Sequence, residues 1–253
     1  MDNSILLEHI AKHLLNKREQ GIAIPDLSSD ITLNSIDEVL AVQKLMIKLN
    51  NQKVYGWKCM LPSGDGTITL APLLHAPVKS MERCALFTKN NKALIEPEIA
   101  FVLNKDLASY EEYKNEEIDN AIGSAHLALE LIQNRFPEGY QATHYEKLAD
   151  GLSNQGVYLG PKVDVKKAHE SSDINIDVKQ GEDLQSYAGK HPAGLPQLPL
   201  YWAINFLTAN GFELKAGHIF ITGSYNGLMQ LDINKKTSIK YEDLGEITVE
   251  FSC

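Results

Sequence analysis

The stretch Leu94-Ile95-Glu96-Pro97-Glu98-Ile99-Ala100-Phe101-Val102-Leu103 constrains this chain more than any other. It reads as a strand, in which successive side chains point to opposite faces. Glu96 and Glu98 therefore share a face with Ala100 and Val102, while Ile95, Ile99, Phe101 and Leu103 point the other way. A third carboxylate, Glu130, stands in a second apolar run, Leu129-Glu130-Leu131-Ile132. Anions gathered on an apolar surface raise one another's pKa, and burial disfavours their charged forms, unless a cation lies between them. Three carboxylates with no Cys or His beside them suit a hard divalent ion, Mg2+ or Mn2+, better than Zn2+. The same spacing fits a solvated strand face, and Pro97 fits an edge strand, so the pattern alone leaves both readings open.

With 253 residues, 43% of them hydrophobic, the chain is long and apolar enough for a sizeable core. Its net charge of -9, with no Lys/Arg-rich block, argues against a nucleic-acid partner. Cys59, Cys84 and Cys253 form an odd set without Cys-x-x-Cys spacing, which points away from disulfides and structural zinc and toward a reducing compartment. No apolar run approaches the roughly 18 residues of a spanning helix, so the expectation is a soluble, cytoplasmic protein without a membrane partner.

Ile5, Leu6, Ile10 and Leu14 recur at helical spacing and predict an amphipathic helix over about 4–17. His9 and His13 lie at i and i+4 on it, but no third ligand is near, and they read as a solvated pair. A loop over 21–30 precedes Ser35-Ile36-Asp37-Glu38, a capping-box pattern that opens a second helix over 36–49. The two helices form a small N-terminal lobe, 1–51, ahead of a β-rich domain, 52–253. In that domain 53–60 reads as a strand with Lys58 on its less bulky face and Trp57 on the other. The span 62–77 is rich in Gly, Pro and Thr and reads as turns, and 116–128 reads as a helix with Ile118, Ala121, Ile122 and Ala125 on one face. Strands at 157–160, 174–178, 218–222, 228–231, 237–241 and 246–251, with a helix over 200–209, complete the pattern. Runs of strands with few long helices between them predict an α+β fold with a mixed or antiparallel sheet.

Several of these runs together are similar to one known family. Gly56-Trp57-Lys58, Pro97-Glu98-Ile99-Ala100-Phe101-Val102-Leu103 and Ala128-Leu129-Glu130-Leu131-Ile132 with Arg135 resemble the 2-keto-4-pentenoate hydratase and 4-oxalocrotonate decarboxylase family, within the fumarylacetoacetate hydrolase superfamily. The likeness continues through Gly194-Leu195-Pro196, Trp202 and the run from Leu214 to Ser224, with an echo in Ala41-Val42-Gln43. It implies a curled β-rich roll and a metal-dependent lyase. Such an enzyme adds water to an unsaturated 2-oxo acid or 2-hydroxydienoate, such as 2-hydroxypenta-2,4-dienoate, and gives a 4-hydroxy-2-oxo acid. The same likeness accommodates a 2-oxo-enedioate decarboxylase, an acylpyruvate-type carbon-carbon hydrolase, or a non-catalytic descendant that binds a metal or anion.

Carried over residue by residue, the resemblance makes Glu96, Glu98 and Glu130 the ligands of Mg2+ or Mn2+. It makes Lys58 the proton-handling group, with burial near a cation lowering its pKa, and it assigns Ser153, Thr222 and Ser224 to substrate orientation. Arg135 serves either a substrate carboxylate or a structural ion pair. The partner implied is a small 2-oxo acid, and the assembly a homo-oligomer. Three departures stand out: Gln133-Asn134-Arg135 keeps the family's arginine but loses its acid, Gly151 replaces an asparagine in the run 148–154, and 62–77 is trimmed and lacks the acidic residue expected near its end, where His75 is the nearest titratable group.

Overall fold

The structure, a computed structural model, describes residues 3–21, 33–51, 53–79 and 81–253. It opens with α1 (Asn3–Gln20) and α2 (Ile36–Leu49). Ser35 caps α2, its hydroxyl accepting the Glu38 N–H at 3.2 Å, but the Glu38 carboxylate accepts from the Asn34 N–H at 2.7 Å. Ile10 and Leu14 of α1 pack against Val39, Val42 and Met46 of α2, and the cluster is completed by Leu74, Phe136 and Leu148. The small helical layer is thus closed by residues from the β-rich part. The loop expected over 21–30 lies outside the described residues beyond Gly21. Among the described residues no helix is long and apolar enough to cross a membrane.

β1 (Gly56–Met60) turns back into β2 (Thr69–Leu73), so the region expected as turns contains a strand paired along the whole of β1. Pro72 obscures it in sequence, yet β2 is the outer strand of its sheet, where a missing N–H is tolerated. Two short strands, β3 (Val78–Lys79) and β4 (Arg83–Ala85), precede β5 (Lys92–Leu103). After α3 (Asn115–Asp119) comes β6 (Ile122–Ile132). The helix expected over 116–128 therefore ends after about one turn. Its apolar residues also alternate, with Ala125, Leu127, Leu129 and Leu131 facing one way and Ser124, His126, Ala128 and Glu130 the other. Pairing with β5 along nearly its full length, and Gly123 near its start, decide for the strand.

The remaining elements are α4 (His144–Ala149), β7 (Asn154–Val163), α5 (Val165–Glu170), β8 (Asp173–Gln180), β9 (Asp183–Lys190) and α6 (Gln197–Ala209). β10 (Ile219–Ile221), β11 (Met229–Asp232), β12 (Lys236–Tyr241) and β13 (Gly245–Ser252) close the chain. β9 carries no sequence signal because it is an edge strand exposed on both faces. Among the described residues the larger sheet runs β2-β1-β10-β5-β6-β7-β3, with β11 also on β5, and the smaller runs β4-β13-β12-β8-β9. β1 with β10, β3 with β7 and β4 with β13 are parallel, and the other pairs are antiparallel. The fold is α+β with mixed sheets.

Ile95, Ile99 and Phe101 of β5 and Leu127 and Leu129 of β6 pack in one core with Ile176, Ile239 and Val249 of the smaller sheet and Ile204 of α6. The opposite face of β5 and β6 carries a smaller apolar set, Ala100, Ala128, Val157 and Ile221, and the glutamates. β5 is central rather than an edge. Its outer side pairs with β11 over 92–95 and with β10 over 100–102, leaving Pro97 in the gap between them. The Pro97 carbonyl accepts the Tyr225 N–H there at 3.0 Å. A strand residue directs its carbonyl and its N–H to the same side, so the proline lacks a donor only where no strand needs one.

Gly56 enters β1 at φ +151°, and a Cβ there would lie 1.8 Å from the Ile219 carbonyl oxygen. Gly56→Ala is expected to lower stability by about 2 kcal/mol or more, read as a fall in the urea midpoint, because it parts β1 from β10.

Candidate metal centre

Glu96 lies directly opposite Glu130 across the β5–β6 pair, an arrangement that is destabilising for like charges. Glu98 is the next residue along the same face, opposite Ala128. The three residues bring carboxylate oxygens within 4.8 Å of one another. Glu98 and Glu130 are buried and Glu96 is half-buried. Lys58 reaches in from β1, its Nζ 2.7 Å from Glu130 Oε1, and also donates to the Leu152 carbonyl at 3.3 Å. Asn154 Nδ2 donates to the same Glu130 Oε1 at 2.9 Å, and the Gly223 N–H donates to Glu98 Oε2 at 2.8 Å. Glu130 Oε2 is buried with no hydrogen-bond partner.

Burial first, and then the Glu130 charge, push the Glu98 carboxyl well above its ordinary range and raise that of Glu96 as well. For Lys58, burial lowers the pKa, but Glu130 and then Glu98 and Glu96 outweigh it, so the ammonium is held above the usual lysine value. The lowering expected from sequence assumed a neighbouring cation. Among the protein's own groups the carboxylates reverse its sign. With all three carboxylates ionised, one ammonium would leave two negative charges in excess, and burial together with this excess is why the Glu98 and Glu96 carboxyls hold their protons above the ordinary range. That excess, an all-oxygen donor set and a buried oxygen without a donor fit a hard divalent cation.

The turn after β10 brings Thr222 and Ser224 beside Glu98. Thr222 Oγ1 lies 3.4 Å from His191 Nε2, and Ser224 Oγ donates to the carbonyls of Pro97 and Gly227 at 3.3 and 3.4 Å. Ser153 sits in left-handed backbone, φ +64°, between Leu152 and Asn154, which touch Lys58 and Glu130. It lines a cavity of about 590 Å³ with Leu94 and Ile132, the neighbours of Glu96 and Glu130 on the same strand faces. Arg135 lies in a different contact: its Nε and Nη2 hold both Asp150 oxygens at 2.9 Å in a fully buried ion pair. His75 lines a separate cavity of about 640 Å³ with Leu86, Phe87 and Val157, and none of the three glutamates lines it. Burial, then Arg18 and Arg135, push the His75 imidazole down to about 4. Among the described residues, no metal-ligating group includes His9 or His13.

Two residues that reach this region were not singled out from sequence. Asn154 follows Ser153 in a stretch that reads as a turn, and only the fold aims its amide at Glu130. Arg18 ends α1, where a basic residue ordinarily reads as complementing the helix dipole.

No family model matches the chain. A curated 2-keto-4-pentenoate hydratase from Paraburkholderia xenovorans is 24% identical over 159 residues, which is 62% of this chain and 58% of that protein. The match thus spans less than two thirds of that relative. A second 2-keto-4-pentenoate hydratase, from Burkholderia vietnamiensis, is 22% identical over 266 residues, 99% of this chain and 98% of that one. The chain is similar in sequence to these hydratases. Its fold is shared with the 4-oxalocrotonate decarboxylase of Pseudomonas putida, solved with magnesium and adipate, at a TM-score of 0.76, with 17% identity and 97% of both chains covered. The roll expected from the resemblance is the fold observed.

Arg135→Met is expected to destabilise the protein by about 3–5 kcal/mol in denaturant unfolding, because it leaves Asp150 buried without its partner. Arg135→Met with Asp150→Leu recovers part of that loss. A carboxyl whose pKa is raised by folding contributes stability fully below its unfolded value, here about 4.5, and loses it as pH rises through the folded value. Metal-stripped protein is therefore expected to lose thermal stability as pH rises from about 4.5 toward neutrality. Glu98→Gln flattens that fall, and Mg2+ opposes it in the unmutated chain, both read by scanning calorimetry.

Proposed function

We propose that the chain is a divalent-metal-dependent hydratase. It adds water to an unsaturated 2-oxo acid or its 2-hydroxydienoate tautomer, such as 2-hydroxypenta-2,4-dienoate, and gives a 4-hydroxy-2-oxo acid. The observation that carries this reading is the convergence of Glu96, Glu98 and Glu130 around a partnerless oxygen, with Lys58 on the same carboxylate, in a chain similar in sequence to curated hydratases. Mg2+ or Mn2+ held by these three glutamates would supply Lewis-acid stabilisation of negative charge at the substrate's 2-oxygen.

The other roles fall to the protein. Lys58 Nζ spends two N–H groups on Glu130 and the Leu152 carbonyl, which leaves a third to donate to substrate or water. Thr222 and Ser224 flank Glu98 on a turn held by the Gly223 N–H, and Ser153 borders the adjoining cavity, so their hydroxyls orient a small polar ligand. Ala100, Ala128, Val157 and Ile221 keep the surrounding face apolar, which strengthens every charge interaction within it. Arg135 supports the 150 region through Asp150. A carbon-carbon hydrolase is less well supported. His191 touches the Thr222 turn, but its Nδ1 accepts from the Ala193 N–H, which leaves Nε2 protonated and unable to act as a base.

A second reading has one observation behind it. The 590 Å³ cavity, which adjoins the site but is lined by none of the three glutamates, carries two exposed lysines, Lys89 and Lys147, neither of which is in an ion pair with a described residue. Two free cations favour a substrate with a second carboxylate, as a 2-oxo-enedioate decarboxylase requires.

Metal-stripped protein mixed with 2-hydroxypenta-2,4-dienoate decides between them. The hydratase consumes the diene absorbance only after Mg2+ or Mn2+ is added. Glu98→Gln abolishes that loss, and Lys58→Met slows it about 10²- to 10⁴-fold. Release of CO2 from 2-oxohex-3-enedioate, with the dienoate untouched, identifies the decarboxylase instead. Metal binding with turnover of neither acid sinks both.

A further inference from the structure

We infer that Arg18, in the last turn of α1, is a positioning residue that ties the helical layer to Glu130 through the turn 150–154. The inference rests on the metal reading of Glu96, Glu98 and Glu130. Arg18 is 1% exposed, although a basic residue at a helix end ordinarily keeps its head in water. Its guanidinium instead crosses to the β-rich part. Nη2 donates to the Asp150 carbonyl at 2.7 Å, and Nη1 donates to the Asn154 carbonyl.

Between those carbonyls the chain turns through left-handed backbone at Gly151 (φ +87°), Leu152 (+54°) and Ser153 (+64°). Consecutive non-glycine residues in that region persist only where the surroundings hold them. The Arg18 fork spans the turn and holds both its ends. What the turn presents on its other side is the environment of Glu130. The Leu152 carbonyl accepts from Lys58, and Asn154 Nδ2 donates to Glu130 Oε1. Both groups that meet Oε1 are therefore set by this turn, and Oε2 is left without a partner.

Gly151 is the matching half of the device. A Cβ at that position would lie 2.4 Å from Arg18 Nη2, so the absence of a side chain is what admits the guanidinium. The departure from the family's asparagine thus acquires a reason within this chain. The placement is unfavourable for stability by itself. Arg18 and Arg135 crowd one Asp150, Arg18 Nε has no partner, and burial followed by Arg135 lowers the Arg18 pKa to about 9. An apolar side chain of similar length would serve the helical layer better. The charge serves the turn.

Mn2+ affinity of metal-stripped protein, measured by electron paramagnetic resonance, tests this with the intact chain, four single variants and the Arg18→Met, Gly151→Ala double variant. Leu14→Ala, which removes a buried side chain from the same helix, lowers the melting temperature but leaves Mn2+ affinity within twofold. Arg18→Met weakens affinity at least tenfold, as loss of a group orienting a ligand does. Arg18→Lys keeps the charge but reaches a single carbonyl, and falls between them. Gly151→Ala weakens binding as Arg18→Met does, and the double variant is no worse than either alone. Affinity within twofold of the intact chain in Arg18→Met, or a loss in Leu14→Ala equal to that in Arg18→Met, overturns the inference. If Arg18→Met does not fold, Arg18→Lys decides by the same comparison. An intact chain that binds no Mn2+ overturns the metal reading and the inference together, a result distinct from binding that Arg18→Met leaves intact.

Discussion

The repulsion between Glu96 and Glu130 is the constraint on which the rest of this structure turns. Antiparallel pairing puts the two carboxylates face to face, and the next residue on that face, Glu98, adds a third anion in a buried position. An apolar strand pair with such a cluster is unstable unless positive groups converge on it. The fold supplies them from separate parts of the chain: an ammonium from β1, an amide from the start of β7 and a backbone N–H from the turn after β10. None of these neutralises the three charges, and this imbalance is the physical case for a cation.

The surrounding architecture follows from the need to hold that imbalance in place. One face of β5 and β6 is committed to the main core, which anchors the strands, so the opposite face can bear charge without losing the sheet. The gap between β10 and β11 gives Pro97 a position that needs no donor and lets the Thr222–Ser224 turn reach Glu98. Beneath the site, Asp150, Arg135 and Arg18 form a buried charged layer under the turn that carries Asn154. The helical layer is therefore joined to the carboxylate face by polar contacts as well as by apolar packing.

Legibility in the sequence depended on the range of the interactions. The alternation of β5, the capping serine of α2 and the C-terminal strands could be read because each is a local pattern. The strand β2, the conversion of 122–132 from helix to strand and the edge strand β9 could not, because pairing partners distant in sequence decide them. The carboxylates stood out as charges in apolar runs. Asn154 and Arg18 did not, since an asparagine in a turn and an arginine at a helix end are ordinary until the fold shows what they face.

The sequence by itself determined that Glu96 and Glu98 share a strand face, that Glu130 lies in another apolar run, and that the chain resembles a family whose fold it has. Alternation of side chains along a strand is a property of the backbone and needs no partner. Only the tertiary structure decided that Glu130 faces Glu96, that Lys58 reaches both Glu130 and the Leu152 carbonyl, that Arg135 is committed to Asp150, and that the Lys58 pKa is raised rather than lowered. Register, burial and charge balance belong to pairs of residues far apart in the chain, and no local pattern encodes them.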